Sequence, residues 1–317
     1  MIRFDQVSKQ FPDGTRAVDS LDLDIREGEF FVLIGPSGCG KTTTLKMINR
    51  LIDLTKGTVW INGKRISDYN IHELRWNIGY VLQQIALFPH MTIAENIAVV
   101  PELIGWSKEK ITSRVDELLA MVGLEPAAYR QRKPSELSGG QQQRVGVIRA
   151  LAADPEILIM DEPFSALDPF SREKLQDDLL EIQRKIKKTI VFVTHDMQEA
   201  MKLGDRVCLM NQGNVVQVGT PFELINEPVN SFVSDFVGGH HKQVDIMEWV
   251  SPLTENVSSW SAKDAVPANT PPYDILERLT RVSVVPVEQN GKVVGLIRKE
   301  SVLEHLANDF KEKRLHV

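Results

Sequence analysis

The chain has 317 residues, of which 42% are hydrophobic and 25% charged, and its net charge is −6. That length suits about two domains, the balance excludes global disorder, and the negative charge argues against a protein that grips nucleic acid through a basic face. No apolar run approaches the roughly 18 residues of a spanning helix, and the charged opening MIRFDQVSKQF lacks the apolar stretch of a secretion signal, so a cytosolic chain is expected. Two cysteines, Cys39 and Cys208, make neither a disulfide framework nor a metal cluster and are expected as free thiols.

In chain order, RFDQV, LDLDI and FFVLIG are short apolar runs separated by turns. The third ends in a glycine-rich turn followed by the helical stretch TTLKMINRLI, and strand, glycine loop and helix open a parallel α/β unit. From about residue 107 the period becomes helical, with Ile111, Val115, Leu118, Leu119 and Val122 on one face. EILIM reads as a strand buried on both sides. Asp168 and Pro169 read as N-cap and first residue of a helix whose stripe is Leu175, Leu179, Ile182 and Ile186. TIVFVT is a further central strand. Residues 1–239 are thus expected as one α/β body with a helical insertion. The pattern breaks at GGHHKQ, 238–243. Residues 240–317 are expected as a linker and a small α+β unit: helix DILERL, strand SVVPV, an NG hairpin turn at 290–291, return strand KVVGLI and closing helix SVLEHLANDF.

GPSGCGKT, 35–42, fits G-x-x-x-x-G-K-[ST] between a strand and a helix. Gly35, Gly38 and Gly40 would let successive backbone N–H groups turn inward around phosphate oxygens, with Pro36, Ser37 and Cys39 completing the loop and the helix N-terminus adding a favourable field. Lys41 would pair with the β- and γ-phosphates of ATP, and the Thr42 hydroxyl would bind Mg²⁺. ILIMDEP places two carboxylates at a buried strand end, facing the ligand crevice of a parallel sheet. Asp161 would hold Mg²⁺ and Glu162 would polarise the attacking water, since phosphoryl transfer needs a metal and a positioned water. His195, after TIVFVT, and Gln83, in GYVLQQ, stand at strand ends as well. His195 is expected against the γ-phosphate, and Gln83 on Mg²⁺ and the water. In LSGGQQQR, Ser138, Gly139 and Gly140 present a second helix N-terminus fit for an anion, able to close over ATP held by a second copy.

GPSGCGKT, Gln83, LSGGQ, ILIMDEP, SALD and His195 come in the order found in ATP-binding cassette (ABC) ATPases, which the chain resembles over about 1–239. The resemblance implies a P-loop fold with a helical subdomain and an ATP-sandwich dimer of two copies. It implies Phe11 stacked on adenine, Thr43 with the phosphate loop, and Ser138, Gly139, Gly140 and Gln141 acting in trans, with Asp168 communicating across the dimer. Within the family, TTLKMINRLI, IGYVLQQIALFPHMTIAENIAVVP and LSGGQQQRVGVIRALAADP are similar to the ATPases of osmoprotectant importers, for glycine betaine, choline, carnitine or related quaternary amines. Importers of another amino acid or a polyamine, or a soluble non-transport ABC ATPase, are the alternatives. The tryptophans 60, 76, 106, 249 and 260 show no cage spacing for a quaternary ammonium. Solute choice would then lie in a separate solute-binding protein and permease, with this chain peripheral on the cytoplasmic face of the membrane. The segment QIALFPHMT, with Leu87 and Phe88, is the expected permease contact. The C-terminal unit resembles a single cystathionine-β-synthase-type (CBS) repeat. That likeness implies a regulatory or dimerisation role and a cyclic adenine dinucleotide as guest, although Gly295–Ser301 lacks the ribose-gripping aspartate of such repeats.

Overall fold

The computed structural model describes residues 1–165, 167–238, 246–251, 265–268, 270, 272–289, 292–303 and 305. They fall into two units, Met1–His240 and His241–Val317. In the first, strands that alternate in burial pair antiparallel, and strands buried throughout pair parallel. β1 (Ile2–Gln10) turns Ile2, Phe4 and Val7 inward, and β2 (Arg16–Ile25) answers with Leu21, Leu23 and Ile25 in an antiparallel pair. β3 (Phe30–Ile34) is buried at every position, as a central parallel strand should be. After the glycine turn comes α1 (Lys41–Ile48), and then β4 (Lys56–Ile61) and β5 (Lys64–Arg65) complete a four-stranded sheet of order β2-β1-β4-β5. This separate antiparallel sheet was not evident from the apolar runs alone, because alternation does not say which strand is the neighbour.

α2 (Ile71–Trp76), capped by Asn70, leads to β6 (Ile78–Val81). The helical insertion follows as α3 (Ile93–Leu103), α4 (Lys108–Met121), α5 (Pro126–Tyr129) and α6 (Gly139–Leu151). On α4 the residues Ile111, Val115, Leu118 and Leu119 are buried, with Val122 at its C-cap. The chain returns to the sheet as β7 (Ile157–Asp161), α7 (Pro169–Ile186), β8 (Thr189–Val193), α8 (Met197–Leu203), β9 (Arg206–Asn211) and β10 (Asn214–Gly219), and ends in α9 (Pro221–Asn226) and α10 (Ser231–Gly238).

The large sheet runs β10-β9-β3-β8-β7-β6. β9, β3, β8, β7 and β6 are mutually parallel, and β10 is an antiparallel edge. Alternate residues of one strand enter different cores: Phe30, Val32 and Ile34 pack under the helices, while Phe31 and Leu33 pack against the antiparallel sheet. Layers on both faces explain why these strands read as continuous apolar runs. Because the five strands share a direction, the turns after β3, β6, β7 and β8 open along one edge of the sheet, where ligands of such folds bind.

The second unit contains β11 (Val250–Ser251), β12 (Val266–Pro267), α11 (Pro272–Arg281), β13 (Val284–Gln289) and β14 (Lys292–Arg298), in a sheet of order β11-β14-β13-β12. Trp249, Ile275, Leu279, Val285, Val287 and Ile297 form its core. Residues 299–303 continue as helix, whereas the NG turn and the end of the closing helix lie outside the described residues. A Cβ at Gly295 would strike Val250, so this glycine serves the close approach of β11.

Gly79 on β6 plays the same part in the first unit, where a Cβ would run into the Ala150 carbonyl of α6 and come within 2.8 Å of Leu158. Gly79→Ala is expected to destabilise the chain by about 1–3 kcal/mol through overpacking, read as a lower urea midpoint at unchanged slope. An unchanged midpoint would mean that α6 has room to move away.

Candidate nucleotide-phosphate site

The loop between β3 and α1 is threaded between two other strands. Gly35 (φ +149°) lies where any Cβ would meet the Met210 carbonyl of β9, and Gly40 (φ +103°) where one would meet the Ala17 carbonyl of β2. Both backbones are in a region that side chains disfavour, so glycine is required twice over. Gly40 is the N-cap of α1 but offers no capping side chain, which leaves the first-turn amides of Lys41, Thr42 and Thr43 to an external acceptor. Pro36, Ser37, Gly38 and Cys39 complete the turn.

Lys41 is buried, and its ammonium donates to the carbonyls of Gly35 (2.8 Å) and Pro36 (3.0 Å) inside this cradle. A buried cation whose hydrogen-bond partners are neutral carbonyls is matched by an anionic ligand. Thr42 donates from Oγ1 to Asp161 Oδ1 at 2.7 Å, and Asp161 also receives Tyr80 Oη at 3.5 Å and faces Lys46 Nζ at 3.9 Å. A hydroxyl and a carboxylate in contact are hard oxygen donors, the set that suits Mg²⁺. Burial, and then the Asp161 carboxylate beside it, push the Tyr80 phenol well above its ordinary range, so Tyr80 keeps its proton and remains a donor.

Glu162 is adjacent in sequence but belongs to a different cluster. Its backbone is left-handed (φ +43°), rare for a side chain other than glycine, and its amide donates to Val193 O of β8 at 2.9 Å. One oxygen, Oε2, meets His195 Nδ1 at 3.0 Å and Gln83 Nε2 at 3.5 Å. The structure therefore brings Gln83, Glu162 and His195 together, with Thr42 and Asp161 beside them. Gln83 lies two residues beyond the end of β6, on the following loop, rather than at the strand end itself. The His195 turn is held from below: Thr194 donates to Glu199 at 2.6 Å, and Arg172 of α7 faces Asp196 (3.7 Å) and Glu199 (3.9 Å).

Ser138 caps α6 in a reciprocal box, accepting from Gln141 N (3.3 Å) while Gln141 Oε1 accepts from Ser138 N (3.0 Å). Gln141 Nε2 donates onward to the Tyr129 hydroxyl at 3.1 Å. A Cβ at Gly139 would meet nothing within 4 Å, so the helix end is open to approach. Asp168 caps α7 by accepting from Ser171 N at 3.0 Å, hydrogen bonding with the Ser171 side chain and then with its backbone holds the carboxyl below the ordinary range, and Ser171 is also the neighbour that a Cβ at Gly140 would meet. The two helix starts are therefore adjacent. Among the described residues, no hydrogen bond joins Ser138, Gly139, Gly140 or Gln141 to the phosphate loop. Phe11 lies in the turn between β1 and β2 with Lys9 Nζ 5.1 Å from its ring centre. Cys39 and Cys208 are free and buried, and burial pushes both thiols up.

Sequence reasoning missed Lys46 and Tyr80. Lys46 stands one helical turn after Thr42 on α1, a spacing that could have placed it over Asp161. Tyr80 sits in an ordinary strand, and only the pairing of β6 with β7 reveals its partner.

A nucleotide-phosphate loop on the open edge of a doubly covered parallel sheet defines a P-loop nucleotide-binding fold. The family model described as ABC transporter matches residues 18–165. The chain is 56% identical over 238 residues to the glycine betaine/carnitine/choline transport ATP-binding protein OpuCA of Bacillus subtilis, covering 75% of this chain and 62% of that protein's length. It is 46% identical over 305 residues to the osmoprotectant import ATP-binding protein OsmV of Salmonella typhimurium, covering 94% and 79% respectively. The fold is similar to the dimeric post-hydrolysis structure of the ATP-binding cassette MJ0796 bound to ADP and Pi, with a TM-score of 0.62 and 36% identity over 70% of this chain and 99% of that one. The chain belongs to the ATP-binding proteins of the ABC transporter family.

Burial raises the Glu199 carboxyl above the ordinary range, against the opposing Thr194 bond and the Arg172 charge. A raised carboxyl contributes stability below its unfolded value, and that contribution is lost as pH rises through its folded value. Relative to wild type, Glu199→Gln should therefore gain stability as pH rises from the ordinary glutamate range. Parallel wild-type and variant curves of unfolding midpoint against pH would remove this assignment.

Proposed function

We propose that this chain is the ATP-hydrolysing subunit of an importer for quaternary ammonium compatible solutes of the glycine betaine, choline and carnitine type. The convergence of Gln83 and His195 on Glu162, next to the Thr42–Asp161 pair, carries the ATPase reading. The solute class rests on the names of the relatives to which the chain is similar.

The backbone N–H groups of residues 37–43 and the Lys41 ammonium bind the phosphates, and Phe11 offers the ring face away from Lys9 to the adenine. Thr42, Asp161 and Gln83 would hold Mg²⁺. The ion, when bound, neutralises charge on the transferring phosphoryl group. Glu162 polarises the attacking water and accepts its proton. His195 leaves Glu162 for the γ-phosphate when nucleotide is present, which frees the carboxylate oxygen for water. Ser138, Gly139, Gly140 and Gln141 of a second copy close the site, and the open space over Gly139 suits such an approach. Asp168, adjoining that helix end through Ser171, links the two composite sites.

Closure of the two copies would move a permease seated on an apolar groove that includes Trp76, Leu82, Phe88, Val99 and Val100. Phe88 is 42% exposed and suits this contact. Leu87, also expected there, is instead a core residue at 8% exposure, because the loop turns it under the helices. Among the described residues no helix is long and apolar enough to cross a membrane, and the proposal places the chain on the cytoplasmic face, held by the permease, with a solute-binding protein acting upstream. The second unit, which leaves Leu276, Val282 and Leu303 exposed, serves as a CBS-like appendage stabilising the pair of copies.

Glu162→Gln is expected to bind ATP and to accumulate as a closed dimer on a sizing column, with turnover lower by about a hundredfold or more. Turnover at the wild-type rate would remove Glu162 from its role. A population that stays monomeric with saturating ATP would remove the sandwich.

A further inference from the structure

Helix α6 has a different attachment at each end. Its first residues form an open N-terminus after Ser138, the end that the proposed function sets against the phosphates held by a second copy, and its thirteen residues span about 20 Å. Near the other end, Arg149 Nη1 donates to the Ala86 carbonyl at 2.6 Å, and its guanidinium lies 6.0 Å from the centre of the Phe88 ring. Arg149 is half-buried, and burial lowers its pKa, while its bond to Ala86 lies at the exposed edge of the helix. Gly79 keeps the same end of α6 tight against β6.

The loop that Arg149 grips is tied at both its ends. At the near end Gln83 touches Glu162. At the far end the buried Asn96 of α3 accepts from Phe88 N (2.8 Å) and donates to Phe88 O (3.1 Å) and Thr92 O (3.0 Å). Between these two anchors, residues 84–87 have one side-chain anchor among the described hydrogen bonds, the one from Arg149.

We propose that Arg149 is a positioning residue that locks the 84–88 loop to α6, so that displacement of the helix's phosphate-facing end is passed to the permease-docking Phe88. This rests on the reading of Phe88 as a permease contact. Among the described residues Arg149 makes no hydrogen bond to the phosphate loop, and it lines the same groove as Phe88, so its loss should separate hydrolysis from transport.

The test uses the full chain carrying Arg149→Ala, Arg149→Lys or Phe88→Asp. Three quantities are read: ATP hydrolysis by the purified chain, amide exchange of residues 84–91, and uptake of labelled glycine betaine, choline and carnitine by cells whose only copy is the variant. Arg149→Ala should hydrolyse ATP within about twofold of wild type, exchange the loop amides about tenfold faster, and lose about tenfold or more of the uptake. Arg149→Lys keeps a charge and a donor without the planar fork, and should recover part of both losses. Two results would overturn the proposal: uptake at the wild-type level despite faster loop exchange, or hydrolysis and thermal midpoint falling in step with uptake, which marks a merely structural residue. Undiminished uptake by Phe88→Asp would instead sink the docking reading on which the proposal depends.

Discussion

The hydrogen bond from Thr42 to Asp161, 2.7 Å long, joins residues 119 positions apart. It can form only if α1 starts where β7 ends, and that requires the parallel order in which β3 and β7 flank β8. The constraint then propagates. Gly35 and Gly40 let the phosphate loop pass between the Met210 and Ala17 carbonyls, Lys41 folds into the space so made, and Lys46 reaches the same aspartate one turn along α1. Breaking this bond would leave the half-buried Thr42 hydroxyl without its acceptor and the buried Asp161 carboxylate with only the longer contacts to Tyr80 and Lys46.

The two carboxylates of ILIMDEP differ in environment although they are neighbours. Asp161 is buried in the strand register and faces α1, where the Thr42 hydroxyl and the Lys46 ammonium meet it. Glu162 leaves the strand through a left-handed turn and faces Gln83 and His195. Two adjacent carboxylates are thereby sent into different clusters by one unusual backbone angle. Such an angle persists only where the surrounding structure over-determines it, and the Glu162 amide bond to Val193 is part of that support.

Much of this was legible in the sequence wherever a local rule forces the outcome. The glycines of GPSGCGKT, the doubly buried strands EILIM and TIVFVT, the caps Ser138 and Asp168, and the stripe of α4 all follow from backbone or periodicity constraints that act over a few residues. Tyr80 was not legible, because its link to Asp161 depends on which strands pair. The burial of Leu87 beside an exposed Phe88 was hidden for a related reason: a loop has no period from which to read its inner face. The separate β2-β1-β4-β5 sheet, the β9–β10 hairpin and the grip of Arg149 on Ala86 are likewise products of tertiary contact.

The central claim is that hydrolysis at this site drives entry of a quaternary amine. Its most direct test is uptake of labelled glycine betaine, choline and carnitine, with a non-quaternary amino acid as control, in cells lacking the chain and supplied with wild type or Glu162→Gln. The account predicts loss of at least one quaternary amine, restored by wild type and not by the variant, with the control unaffected. Unchanged uptake of all three quaternary amines in cells without the chain would contradict it.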